Sequence, residues 1–199
     1  MVLRFSPRVG SQDLRLSGPS YTNAWGEHFT VTKFRYYISH LTIRGKDDQV
    51  LFNSDECFLV EGSRDLTLPV IPADVASVSF LLGVDSTHTD AGTGDLDPFK
   101  GMYWSWNKSY VFARLEGQSD SSHAPIHLLT WDIGGSTARR TVTLRTGPAP
   151  DTLRITADVL AWFDAVHPIH ISHSPVCHQP GVLASDIADN YAKMFAIAP

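Results

Sequence analysis

HFTVTKFRYYISHLTI, residues 28–43, decides the fold class. Val, Ile, Thr, Phe and Tyr dominate it, side chains that suit a pleated, half-buried surface and lose rotamer freedom in a helix. The stretch predicts one long or bent β strand. Gly45-Lys46-Asp47-Asp48 then reads as a hairpin turn into Val50-Leu51-Phe52. Upstream, residues 2–9 alternate weakly and predict an edge strand. Downstream, short strands are expected at 57–60, 66–69, 75–84, 110–115, 126–133, 140–146 and 152–160. RTVTLRT at 140–146 alternates with period two, which predicts a half-buried strand. A helical turn is expected within 158–164. Leu183, Ile187, Tyr191, Met194 and Phe195 fall at helical spacing and predict a short amphipathic C-terminal helix, with Ser185 or Asp186 as its cap. Many short strands broken by Gly and Pro turns make an all-β chain, a single domain over 1–199. The expected architecture is an antiparallel β-sandwich or open barrel with long loops.

The composition excludes several classes. Apolar residues make up 43% and charged residues 19%, so the chain can bury a core and is not a disordered segment. The net charge is −5 and no basic run occurs, so nucleic acid is not an expected partner. No apolar run approaches about 18 residues, so no membrane span is expected. MVLRFSPRV at the amino end is too short and polar for a signal peptide, and is compatible with the start left after one is removed. The two cysteines, Cys57 and Cys177, either bridge in an oxidising compartment or serve as small buried hydrophobes. No Cys-x-x-Cys pair occurs, which argues against a structural zinc site.

Chemistry-bearing residues concentrate in GVDSTHTDAGTGDLDPFKGMYWSWNKSYVFARLEG, residues 83–117. His88 lies in a loop rich in Gly and Asp, where a neutral imidazole is a ligand for copper or another transition metal. Asp85, Asp95 and Asp97 are either oxygen ligands or caps on loop amides. Trp104 and Trp106 are two apart, so in an extended chain both indoles face one side, as packing or as the wall of a site. In IHLLTWDI, His127 and Trp131 share a face if the segment is a strand. They read as a metal ligand with an aromatic neighbour, or as a lining histidine and a core indole. His40 closes the 36–39 aromatic run. HPIHISHSPVCH, residues 167–178, cannot be a regular helix because of Pro168 and Pro175. In a polyproline extension, His167, His170 and His173 would align on one edge as a solvent-facing metal site, and otherwise they are solvated loop histidines. No Gly-x-Ser-x-Gly elbow and no phosphate-binding loop occur.

LDPFKGMYWSWNKSYVFARLEG, with FRYYIS upstream and GVDS before it, resembles the MbnP-like family of bacterial exported copper-binding proteins associated with methanobactin gene clusters. The matching positions are 36–39, 83–85, 96–98, 101–106, 110–112 and 115–117, and IADNYAKMF at 187–195 is similar as well. Ser109 stands where the family usually has Gly, and the family tends to place a histidine closer to the glycines than His127 is to Gly134. The resemblance implies a β-rich fold and a periplasmic or extracellular location. It also implies copper held by histidines beside tryptophans, and in some members a tryptophan oxidised to kynurenine by a di-haem oxidase partner. The expected ligands are His88, His127 and His40, with Trp104, Trp106 or Trp131 as neighbours, in a protein that binds metal rather than turning over substrate. The rival readings are a metal-dependent oxidoreductase or hydrolase using Asp97 or Glu116 as an acid-base group, and a metal-free module with Trp104 and Trp106 as a platform.

Overall fold

The structure, a computed structural model, describes residues 1–70, 74–85, 92–146 and 149–198. In chain order its strands are β1 (Val2–Val9), β2 (Gln12–Asp13), β3 (Tyr21–Thr22), β4 (His28–Gly45), β5 (Val50–Ser54), β6 (Phe58–Glu61), β7 (Arg64–Thr67), β8 (Val75–Leu82), β9 (Tyr103–Trp104), β10 (Ser109–Gln118), β11 (Leu128–Gly134), β12 (Arg140–Arg145), β13 (Thr152–Asp158), β14 (Val176–Cys177) and β15 (Phe195–Ile197). Two short helices, α1 (Ala161–Asp164) and α2 (Val182–Tyr191), follow β13 and β14. The fold is all-β, as the strand composition predicts.

β4 is the spine. Its first part pairs antiparallel with β10 and β6, and its second part with β8 and β5. The partners exchange over residues 36–41, and within that span His40 takes φ +49° and the register with β8 shifts between Ser39 and Thr42. An interruption of this kind bends a strand and re-aims the side chain it carries. The large sheet runs β12-β8-β4-β10-β11-β14. The small sheet runs β15-β13-β1-β2, with β7 also on β1. The two sheets meet through edge-on aromatic contacts. Phe5 lies 5.8 Å from Phe80, and Phe195 lies 5.0 Å from Phe80 and 5.4 Å from Tyr36. α1 inserts Trp162 and Phe163 against Phe34, Phe29 and Trp131.

Three local expectations are corrected. β1 is not an edge strand: it lies between a parallel partner, β13, and antiparallel β2 and β7. The C-terminal helix stops at Tyr191 and Phe195 belongs to β15, because that ring is needed in the contact between sheets. The helix begins after Gly181 with no side-chain cap, so Ser185 and Asp186 are interior to it. Both cysteines are free thiols, and Cys177 is buried. Burial raises the Cys177 thiol pKa.

Two positions test this packing. At Gly117, where β10 slips register against β4, a Cβ would lie 1.8 Å from the Thr30 carbonyl oxygen. Gly117→Ala is expected to cost about 3 kcal/mol in urea unfolding, because the strand must move apart to admit it. The Tyr36 hydroxyl is buried without a hydrogen-bond partner among the described residues. Tyr36→Phe removes that unsatisfied group, so the unfolding midpoint is expected to hold or to rise by up to about 1 kcal/mol of stability.

Candidate functional site

The large sheet carries functional side chains at two opposite ends. The first end is built by Gly83–Asp85 and residues 92–106. Gly83 adopts φ +126°, and a Cβ there would meet the Phe112 ring at 3.0 Å. Ser39 donates its hydroxyl to the Gly83 carbonyl at 2.9 Å. This fixes the exit of β8 and places Asp85 against the bend of β4. The His40 ring is held between two carboxylates, Nδ1 at 3.0 Å from Asp55 and Nε2 on Asp85. Burial, reinforced by Asp85, pushes the nearby Cys57 thiol up to about 11.

The aspartates of this stretch serve the loop. Asp97 accepts from the Phe99 amide at 2.9 Å. Asp95 accepts from the Leu59 amide at 3.0 Å and pairs with Lys100 at 2.7 Å and Arg64 at 2.6 Å. Burial acts to raise the Asp95 carboxyl, but these partners together hold it below the usual carboxylate range. Glu116 is paired with Lys33 at 2.8 Å and faces Arg114 at 3.3 Å. His88 and Asp90 lie outside the described residues.

The tryptophans divide by depth. Trp131 is fully buried, stacks on Trp162 at 6.4 Å with an interplanar angle of 4°, and donates Nε1 to the Ser174 carbonyl at 2.7 Å. An indole of roughly 200 Å² taken from water is worth about 5 kcal/mol gross, so packing alone accounts for it. Trp104 is buried in β9 against Gly134, where a Cβ would stand 2.9 Å from the ring. Trp106, in the turn that follows, is 62% exposed and lies 5.5 Å from Trp104. Only one of these two indoles presents a face to solvent. A cavity that adjoins the same turn through Asn107, lined also by Val84, Ser109, Phe112 and Arg139 and by neither indole, holds about 170 Å³. That is small for a sugar or peptide, whose pockets run to about 300 Å³ or more.

The second end gathers the loops around the start of β4. β11 begins only at Leu128, because Ile126 (φ +55°) and His127 (φ +56°) form a tight turn. His127 is therefore exposed and off the strand, its Nδ1 3.3 Å from the Ser122 carbonyl, and it does not share the buried face of Leu129 and Trp131. Ser119, bonded to the His127 carbonyl at 2.9 Å, also donates to the His28 carbonyl. His127 thus sits level with His28, a dozen residues of strand away from His40. At about 3.3 Å per residue no single ion spans that distance. The structure does not bring His40 and His127 together.

It brings together three residues whose meeting the sequence did not disclose. The Trp25 ring lies 4.3 Å from His170 at 31°, and His170 lies 5.1 Å from His173. The last two are linked by a turn, His173 N to His170 O at 3.2 Å, and not by the polyproline extension the prolines suggest. His167 is directed elsewhere, toward α2. The group is held by Glu27, a buried carboxylate between Trp25 and β4. It accepts from the Ile171 amide at 2.8 Å, the Ser172 amide at 2.9 Å and Asn23 at 2.8 Å. A single side chain therefore pins the histidine loop to the turn that carries Trp25. The one sequence signal was the density of histidine at 167–178; its link to Glu27 spans 144 residues.

A curled, open all-β fold with a histidine-bearing loop gathered beside the start of β4 is the class these features define. The MbnP family model matches residues 1–179, and the chain belongs to that family. Among solved structures it is similar to MbnP from Methylosinus trichosporium, with a TM-score of 0.61 and 11% identity over 81% of this chain and 76% of that one, a likeness of fold. No curated protein matches the chain. No helix among the described residues is long and apolar enough to cross a membrane.

The Glu27 clamp sets a pH dependence. Burial acts to raise the Glu27 carboxyl, but the hydrogen bonds from Asn23 and the two loop amides outweigh it and depress its pKa in the folded state. A depressed carboxyl contributes stability above its unfolded pKa of about 4.3, lost as pH falls through the folded value. Stability is thus expected to be flat in this term near pH 6–7 and to drop below about pH 4. Glu27→Gln should remove that acid-side slope in unfolding curves, and it should speed hydrogen exchange at the 171 and 172 amides.

Proposed function

We propose that the protein binds copper outside the cytoplasm, with His170 and His173 supplying imidazole nitrogens beside the Trp25 indole. The observation that carries this reading is the packing of these three rings in a protein of the MbnP family. Imidazole suits copper in both oxidation states, and an adjacent aromatic limits solvent access to the ion. The donor set fits better here than at His40, where the two carboxylates that flank one ring offer hard oxygen donors better suited to a harder cation. A binding role is favoured over turnover because the acid-base groups named for an enzyme, Asp97 and Glu116, are engaged in a loop cap and in ion pairs. A di-haem oxidase partner of the kind the family resemblance implies would reach an exposed indole, and Trp25 at 40% and Trp106 at 62% exposure are the accessible ones. Trp25 is then the tryptophan whose conversion to kynurenine would alter the copper site itself.

Copper(I) titration against a competing chelator tests the reading. The His170→Ala/His173→Ala variant is expected to lose at least about tenfold in affinity, and His127→Ala to bind like the wild type. Trp25 emission should be quenched as copper is added. Unchanged affinity in the double variant contradicts this site, and loss confined to His40→Ala or His88→Ala assigns the metal to those histidines instead.

A further inference from the structure

A second constellation lies apart from both ends of the sheet, where the loop after α1 meets the outer face of α2. We propose that His167, Asp186 and Asp189 form a binding site for a divalent transition cation of the zinc class. One ligand atom from each lies within 4.8 Å of the others. His167 Nε2 is 3.1 Å from Asp189 Oδ2 and 3.8 Å from Asp186 Oδ1. Two donors bound to one zinc at about 2.0–2.2 Å stand roughly 3.0–3.6 Å apart, so the three need only small side-chain rotations to close on an ion.

The backbone presents these atoms for structural reasons. Asp186 and Asp189 are three apart on α2, hence neighbours on one face of the helix. His167 is fixed opposite them by Asn190, which is fully buried. Its Oδ1 accepts from the Val166 and His167 amides at 2.7 and 2.8 Å, and its Nδ2 donates to the His167 carbonyl at 2.8 Å. The loop is thereby locked in register with the helix. Arg140 donates Nε to Asp189 Oδ1 at 2.6 Å and also reaches Ser185, which leaves Asp189 Oδ2 directed at His167. A ligating carboxylate oriented by an outer hydrogen bond is the usual support of a metal site. Arg140 also keeps the Asp189 carboxyl below its usual range, so it is ionised at neutral pH.

The donor set selects the ion. One imidazole nitrogen and two carboxylate oxygens suit zinc and its neighbours, whereas copper(I) prefers softer ligands and calcium an all-oxygen cage. With Arg140 counted, the neutral-imidazole form carries one net negative charge, which a divalent cation over-compensates only by one. The three side chains are each between 34% and 38% exposed, so solvent can enter and complete the shell. This site does not rest on the copper reading, because its ligands are distinct from His170 and His173.

Zinc titration of the full chain carrying His170→Ala and His173→Ala separates the two. That protein is expected to bind one zinc ion and to gain thermal stability with zinc concentration by mass action. Asp186→Asn in the same background is close in shape and leaves the Arg140–Asp189 pair in place, and it should weaken zinc at least about tenfold and abolish the thermal gain. His167→Gln should do the same. Absence of zinc binding in the background protein, or equal zinc affinity with and without Asp186→Asn, overturns the proposal.

Discussion

A strand of eighteen residues cannot run flat through a twisted sheet with one set of partners. β4 resolves this by exchanging neighbours midway, and the exchange over residues 36–41, with its irregularity at His40, is the constraint from which the architecture follows. Before it, β4 belongs with β10 and the Trp131 strand. After it, β4 belongs with β8 and β5. The bend turns one long element into the shared wall of a curled half-barrel. It also separates the two ends of the sheet, and with them the histidines.

That separation governs the chemistry. One end holds Asp95 and Asp97, carboxylates already committed to Lys100, Arg64 and loop amides. The opposite end carries the imidazoles of His170 and His173, set against a half-exposed indole. Most of the aromatic area serves neither end. Trp131, Trp162, Phe163, Tyr36 and Phe195 join the sheets and the short helix into one hydrophobic cluster, and the functional chemistry is left to side chains at its margins.

How much of this the sequence disclosed depends on the range of the interaction. The run at 28–43 announces a strand because its side chains fit only a pleated surface, and the hairpin at 45–50 follows from local turn chemistry. The MbnP signature at 101–106 is legible as a string of residues. The parallel pairing of β1 with β13 is not, since its partner lies 150 residues away and residues 2–9 alternate too weakly to tell an interior strand from an edge. His127 misled because Ile126 and His127 take positive φ, a conformation rare for such side chains, and this delays the strand to Leu128. The pairing of Trp25 with His170 was beyond reach because it is imposed by Glu27, whose two loop amides carry no mark in a sequence.

The most direct measurement is a crystal structure of the copper-loaded protein with anomalous scattering recorded at the copper edge. A copper peak within bonding distance of the His170 and His173 nitrogens and beside the Trp25 ring is the expected result. A peak at His40 and Asp85, or copper scattered over unrelated surface histidines with none at this pair, would contradict it.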